Sequence, residues 1–193
     1  MGFEVSADLI VAKASDAAFG RPLVTNVLRS LLVEAIVDTA LCGGWRWCAS
    51  DYASCDFVHD DGTRLEVKQS AARQSWTGTS MKGSKSVFDI APRTGYWEDG
   101  SRWIPQPGRN ADIYVLAYHP VDDERADHRD PAQWLFYVIA TTALPDQKTV
   151  SLGRVVSLAE PRRFDGLAQS VEALRENFRS DAGDNGFAQF SIY

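Results

Sequence analysis

Two runs, ADIYVLAYH around Asp112–His119 and QWLFYVIAT from Gln133 to Thr141, constrain this chain more than any other feature. They are β-prone and apolar almost without interruption, and a strand of that kind is stable only when both of its faces are covered. They therefore belong in the interior of a sheet. With 193 residues, 45% of them hydrophobic, the chain can bury such a sheet within one domain spanning 1–193.

The covering layers are readable too. PLVTNVLRSLLVEAIVDTAL repeats Val24, Val27, Leu28, Leu31, Leu32, Ala35 and Ile36 at helical spacing, and Gly43-Gly44 supplies the stop. RRFDGLAQSVEALRENFRS is a second amphipathic helix with Phe164, Leu167, Val171, Leu174 and Phe178 on one side. A short helix is expected around Ala7–Ala14, followed by a loop at ASDAAFGRP. WRWCAS, CDFV and RLEVKQ read as three successive strands, the last two joined by the turn chemistry HDDGT. The segment Ser70–Asn110 is expected to be largely loop, with one strand at SVFDI, and KTVSL is a weaker strand. The tail DAGDNGFAQFSIY has a polar start and an apolar end that would dock on the core or on another subunit. The sum is an α/β fold, one central sheet with helices.

Cys42, Cys48 and Cys55 fit neither a disulfide framework nor a C-x-x-C pair, so they are expected to be buried thiols. His59, His119 and His128 are scattered, which disfavours a zinc hydrolase and leaves packing or solvent roles. No apolar run is long enough to cross a bilayer, and MGFEVSADLIVAKAS lacks a basic region followed by a hydrophobic stretch, so a cytoplasmic protein without a membrane partner is expected. The net charge of −6 argues against coating nucleic acid by bulk electrostatics. Locally the balance reverses: from Lys68 to Arg93 the basic residues Lys68, Arg73, Lys82, Lys85 and Arg93 face only Asp89, while VDDERADHRD concentrates acids elsewhere.

Chemistry concentrates in DFVHDDGTRLEVKQS, residues 56–70. Alternation sends Leu65 and Val67 to one face of their strand and Glu66 and Lys68 to the other. The turn at Asp60-Asp61-Gly62 folds this strand back beside Asp56, so one carboxylate from each strand can converge. Two close carboxylates repel, and a hard cation such as Mg²⁺ or Mn²⁺ relieves that repulsion. Lys68 could then hold a phosphate or orient the attacking water, the components of phosphodiester hydrolysis. In the first long helix Glu34 falls on the stripe Val27, Leu31, Glu34, Asp38 and Leu41, a third acid expected to face inward with its apolar neighbours. The plainer reading is a solvated Glu-x-Lys pair on a half-exposed strand, with Glu34 flanking the buried stripe.

Taken together, Glu34, Asp56, Glu66 and Lys68 resemble, in chain order, the PD-(D/E)XK nuclease superfamily, the restriction-endonuclease-like fold. There a helix with a glutamate precedes a strand meander, an aspartate begins one strand, and Glu-x-Lys lies on the next. The resemblance implies a mixed central sheet flanked by helices, with Asp56, Glu66 and the Val67 carbonyl as ligands of Mg²⁺ or Mn²⁺ and Lys68 as catalytic lysine. It also implies a supporting role for Gln69, as in a branch where glutamine extends the motif, although alternation points Gln69 to the opposite face. The residue before Asp56 is Cys55, not the proline that names the motif. GRPLVTNVLRSLLVEAIV, LEVKQSAARQSW, ADIYVLAYH and QWLFYVIATTAL are similar to a bacterial branch of this type, from which only the superfamily chemistry carries over.

The segment QSAARQSWTGTSMKGSKS supplies common phosphate binders directly after the candidate strand. Arg73, Lys82 and Lys85 would face the DNA backbone, while Gln74 and Trp76 would orient a phosphate or stack on a base. For Trp76, Trp97 and Trp103 taken singly, fastening the long loop to the domain is the expected role. The leading expectation is a metal-dependent endonuclease acting on DNA in phage defence, repair or mobile-element processing. The alternative is a non-catalytic nucleic-acid-binding or assembly module that keeps the fold, and an RNA nuclease ranks third. A lone chain and a symmetric homodimer both fit. No separate recognition domain is visible, so specificity would come from loops, substrate structure or a partner protein.

Overall fold

The central sheet is mixed and five-stranded, ordered Trp45–Trp47, Phe57–His59, Arg64–Ala71, Ile113–His119 and Leu135–Ala140 from one edge to the other. The computed structural model describes residues 5–48, 53–76, 86–98 and 101–184, without the side chains of 179–184. In chain order the sheet uses β1 (Trp45–Trp47), β2 (Phe57–His59), β3 (Arg64–Ala71), β7 (Ile113–His119) and β8 (Leu135–Ala140). Between β3 and β7 come β4 (Val87–Asp89), β5 (Tyr96–Glu98) and β6 (Arg102–Ile104). β9 (Thr149–Ser151) follows β8 and pairs with β4, and β5 pairs with β6. The helices are α1 (Ala7–Phe19), α2 (Asn26–Ala40), α3 (Leu152–Val156) and α4 (Phe164–Asp184).

β3 and β7 are parallel, in register from Leu65↔Ile113 to Ala71↔His119, whereas every other neighbouring pair in this sheet is antiparallel. A parallel pair needs a long crossover, and here residues 72–112 provide it while carrying β4, β5 and β6. The run IYVLAYH is buried at every position but Tyr118, as its unbroken apolar character requires. One face of the sheet packs Leu65, Val67, Val115, Ala117 and Phe136 against Val33, Ile36 and Val37 of α2 and Leu167 and Val171 of α4. The other packs Tyr114, Leu116, Tyr137 and Ile139 against Phe88, Ile90, Val150 and Val155. Phe164, Leu174 and Phe178 lie at the margin of the first core, so the stripe of α4 faces the sheet as its periodicity requires.

The turn between β2 and β3 closes as its residues dictate. Gly62 has φ +90°, the Gly62 N–H donates to the His59 carbonyl, and Thr63 N–H donates to Asp61 Oδ1 at 3.0 Å. Arg175 of α4 pairs with both Asp61 and Glu172, and Trp45 Nε1 donates to Glu172 at 2.8 Å. The hairpin is thereby tied to α4.

Several expectations change. α1 runs from a Ser6 cap through Phe19, because Ser15-Asp16-Ala17-Ala18 extends the helix where a loop was expected. The buried side of α2 is Arg29, Val33, Ile36 and Val37, while Val27 is 81% and Leu31 43% exposed. The helix is rotated from the stripe drawn by hydropathy because Arg29 takes a core position. Only Cys55 of the three free cysteines is buried; Cys42 is exposed and Cys48 half-buried. The crossover read as largely loop also contains the ribbon β5–β6.

His119 and His128 are fully buried, edge to face at 5.0 Å, and Trp134 stands 5.1 Å from His119. His128 Nδ1 accepts from Val24 N–H at 3.1 Å and Nε2–H donates to the Arg73 carbonyl at 3.1 Å, a neutral ring joining the start of α2 to the crossover. Burial first, then the charges of Arg29 and His119, pull His128 down to about 4 from an ordinary 6.5. The unfolded chain then binds more protons between those values, so stability is full above about pH 6.5 and is lost as pH falls through about 4. Asp56, raised to about 7, works in the opposite sense over the same range, so the His128 contribution is read as a difference between two proteins: from pH 7.5 to pH 5, urea unfolding of the parent should lose roughly 2 kcal/mol relative to His128→Asn, and parallel pH dependences in the two would place the titration elsewhere.

Candidate active site

β3 presents two chemistries on two faces and two hydrogen-bonding edges. Its even residues turn their backbone groups to β7: the Arg64 carbonyl accepts from Asp112 N–H at 2.8 Å, and Ala72 N–H donates to the His119 carbonyl at 2.9 Å. The odd residues turn toward β2: the Leu65 carbonyl accepts from Asp56 N–H at 3.0 Å, and Val67 N–H donates to Asp56 Oδ2 at 2.6 Å. The β2–β3 ladder pairs Phe57 with Leu65 and Val58 with Arg64, and Asp56 follows at its end, where its N–H also turns to the Leu65 carbonyl and the charge of Glu66 acts on its carboxylate. The Asp56 carbonyl also accepts from Cys48 N–H at 2.8 Å. Asp56 is therefore fixed by its backbone on both sides and by its own carboxylate, and the Val67 carbonyl shares the same edge.

Lys68 Nζ donates to Glu66 Oε1, and the two side chains are only 22% and 16% exposed, which separates them from a solvated surface pair. Burial pushes Asp56 up to about 7, the Glu66 charge beside it and Glu34 push the same way, and Lys68 and the Val67 N–H oppose them. For Lys68 burial works downward, but the charges of Glu66 and Asp56 outweigh it and hold the ammonium above its ordinary value. Asp56, Glu66 and Lys68 thus sense one another directly.

Glu34 flanks this edge from α2. Trp47 Nε1 donates to Glu34 Oε2 at 2.9 Å. Burial raises Glu34, the Trp47 hydrogen bond and the Lys68 charge lower it, and Glu66 raises it again, with a net upward shift. Gln69 lies on the other face, as alternation requires. Its Oε1 accepts from Arg29 Nε at 2.6 Å and its Nε2 donates to Asn26 Oδ1 at 3.0 Å, so it fastens β3 to the first turn of α2 and does not meet the carboxylates.

A recess of about 50 Å³, room for a water or two, opens at Glu66 and Lys68. Ser54, Arg93, Gly95, Tyr96 and Tyr114 also line it. Tyr114 is the β7 neighbour of Glu66, and burial, then Glu66, raises its phenol to about 12, so it stays protonated as a donor toward the recess wall. Arg93 belongs to the basic stretch read from the sequence, whereas Tyr114 does not stand out there, because only cross-strand register brings it beside Glu66. Of the expected phosphate binders, Gln74 is 5% exposed with Nε2 donating to the Ala71 carbonyl at 2.8 Å, which removes its amide from the surface. Arg73 is half-buried, Trp76 is exposed, and Lys82 and Lys85 lie outside the described residues.

Among the described residues no three His, Cys, Asp or Glu side chains form a ready metal cluster. The donors that the hairpin gathers are oxygens: the carboxylates of Asp56 and Glu66, which act on each other's charge, and the Val67 carbonyl. Two acids whose mutual burial drives one of them to about 7 are short of positive charge, and hard cations such as Mg²⁺ take few protein oxygens and keep several waters. The residues present fit such an ion. No protein-family model matches this chain, and no curated protein matches it.

Removing Lys68 would leave two buried acids with less compensation. Lys68→Met is expected to cost about 3 kcal/mol at pH 8, and Trp47→Phe, which removes the donor to Glu34, about 1.5 kcal/mol. Denaturant unfolding of each variant checks both figures; a Lys68→Met protein as stable as the parent would mean that the lysine does not compensate these acids.

Proposed function

We propose that this protein is a metal-dependent endonuclease that hydrolyses phosphodiester bonds of DNA, on a restriction-endonuclease-like fold. The observation that carries the reading is the grouping of Asp56, Glu66 and Lys68 at the central strand β3, where each acts on the others' charge and Glu66 and Lys68 open on a small recess. Asp56, Glu66 and the Val67 carbonyl would hold Mg²⁺ or Mn²⁺. When bound, that ion supplies Lewis acidity toward the phosphate oxygen and a more acidic water.

The chain's own groups account for the rest. Glu66 holds the Lys68 ammonium at the recess, where it can donate to a nonbridging oxygen of the scissile phosphate and orient the attacking water. The water oxygen bonds to phosphorus, its proton passes to solvent, and the P–O bond to the leaving nucleoside breaks with protonation of the departing oxygen. Arg93, ion-paired with Asp89, presents its guanidinium in the recess wall, and the Tyr114 phenol borders Glu66. Glu34 and Trp47 brace Asp56 and Glu66 from the α2 side. Gln69 is left a positioning role through Arg29 and Asn26.

A binding module without catalysis is the second reading, favoured by the absence of a third clustered acid among the described residues. Cleavage of linear, circular and single-stranded DNA in Mg²⁺ or Mn²⁺ separates the two. The nuclease reading expects metal-dependent products and a rate at least about 100-fold lower in Lys68→Ala. Equal rates in parent and variant on every substrate, or no cleavage of any, would remove it.

A further inference from the structure

We propose that the β5–β6 ribbon is a stacking platform for unpaired nucleobases, so that the candidate site addresses single-stranded nucleic acid next to the bond it cuts; the second clause rests on the nuclease reading. β5 and β6 pair with each other apart from the central sheet, in the register Tyr96↔Ile104, Trp97↔Trp103 and Glu98↔Arg102. A two-stranded ribbon is marginal by itself, and the Trp97–Trp103 pair, edge to face at 5.6 Å, helps hold this one. That contact leaves much of both rings uncovered. Trp97 is 39% and Trp103 42% exposed, although each would have been expected to fasten the crossover to the domain.

The position of the pair gives it a ligand. Gly95 lines the recess with Glu66 and Lys68, and the Trp103 indole lies directly on Gly95: a Cβ there would come within 2.6 Å of Trp103 Cζ2 and 2.3 Å of the Ile104 carbonyl. The aromatic surface therefore begins where the recess wall ends. Arg93 stands in the same wall, 57% exposed and ion-paired with Asp89 at 3.2 Å, and its charge reaches Lys68. Uncovered indoles beside cationic groups suit a strand whose phosphates track the charge and whose bases offer π-faces. Bases inside a duplex offer no such faces, so the platform selects unpaired ones.

Binding can be read without cleavage by measuring fluorescein-labelled oligo-dT of about 12 nucleotides, sized to a stacking groove, against the intact chain in EDTA, with a duplex closed by hairpins at both ends as comparison. Trp103→Ala should weaken oligo-dT binding about tenfold, roughly one lost stacking contact, with the slope of log K against log salt unchanged because no phosphate contact is lost. Trp103→Phe should keep most of the affinity, and urea unfolding of each variant against the parent reports whether the domain stays folded. Unchanged oligo-dT affinity in Trp103→Ala, as a protein-docking surface would give, overturns the proposal, as does equal loss in Trp103→Ala and Trp103→Phe. Metal-dependent cleavage that ignores both tryptophans would remove the platform and keep the nuclease. Trp-dependent binding in a chain that cleaves nothing would keep the platform and remove the nuclease.

Discussion

Two buried carboxylates that sense one another repel, and burial magnifies that repulsion. Asp56 and Glu66 stand in this relation at the end of the β2–β3 ladder, where Asp56 is held by Leu65, Cys48 and Val67 at once. Those three hydrogen bonds keep Asp56 in place. The surroundings compensate instead: Lys68 pairs with Glu66, the Val67 N–H serves Asp56, and the indole of Trp47 serves Glu34. Compensation is incomplete, as the upward displacement of Asp56 indicates. In the proposed function, that shift is what a bound cation would relieve.

The same strand makes the fold and the site. Leu65 and Val67 are buried between the sheet and α2 and α4, while Glu66 and Lys68, one residue out of phase, face the recess. A slip of one residue would exchange those faces. The parallel pairing with β7 therefore fixes the core and the chemistry together, and it aligns Tyr114 beside Glu66. Gln69 and Arg29 lock the far end of β3 to α2, the helix that also carries Glu34. Rigid elements on both sides hold each candidate group, the condition that precise catalysis or tight ion binding requires.

What was legible in the sequence followed local rules. The hairpin could be read because Gly62 and its acidic neighbours specify a turn, and the two apolar runs could be read because a fully covered strand has no polar face. The grouping of Asp56 with Glu66 follows from that turn. Long-range balance was not legible. Arg29 looks like a surface residue, but hydrogen bonds to Gln69 and Asn26 make its burial tolerable, and its burial rotates α2 away from the stripe of Val27 and Leu31. The β5–β6 ribbon was hidden because each strand is only three residues long and is defined by its partner. Gln74 was read as a surface amide, but it turns inward to the Ala71 carbonyl. Its neighbour Trp76 does reach solvent.

The central claim is that Asp56 and Glu66 form one cation site beside Lys68. A crystal structure of the protein grown with Mn²⁺, examined by anomalous scattering, tests it most directly. The account predicts a single strong peak bonded to carboxylate oxygens of both Asp56 and Glu66, with the Val67 carbonyl in its coordination sphere. A peak bound elsewhere, or none at this edge with Mn²⁺ in excess, would contradict it.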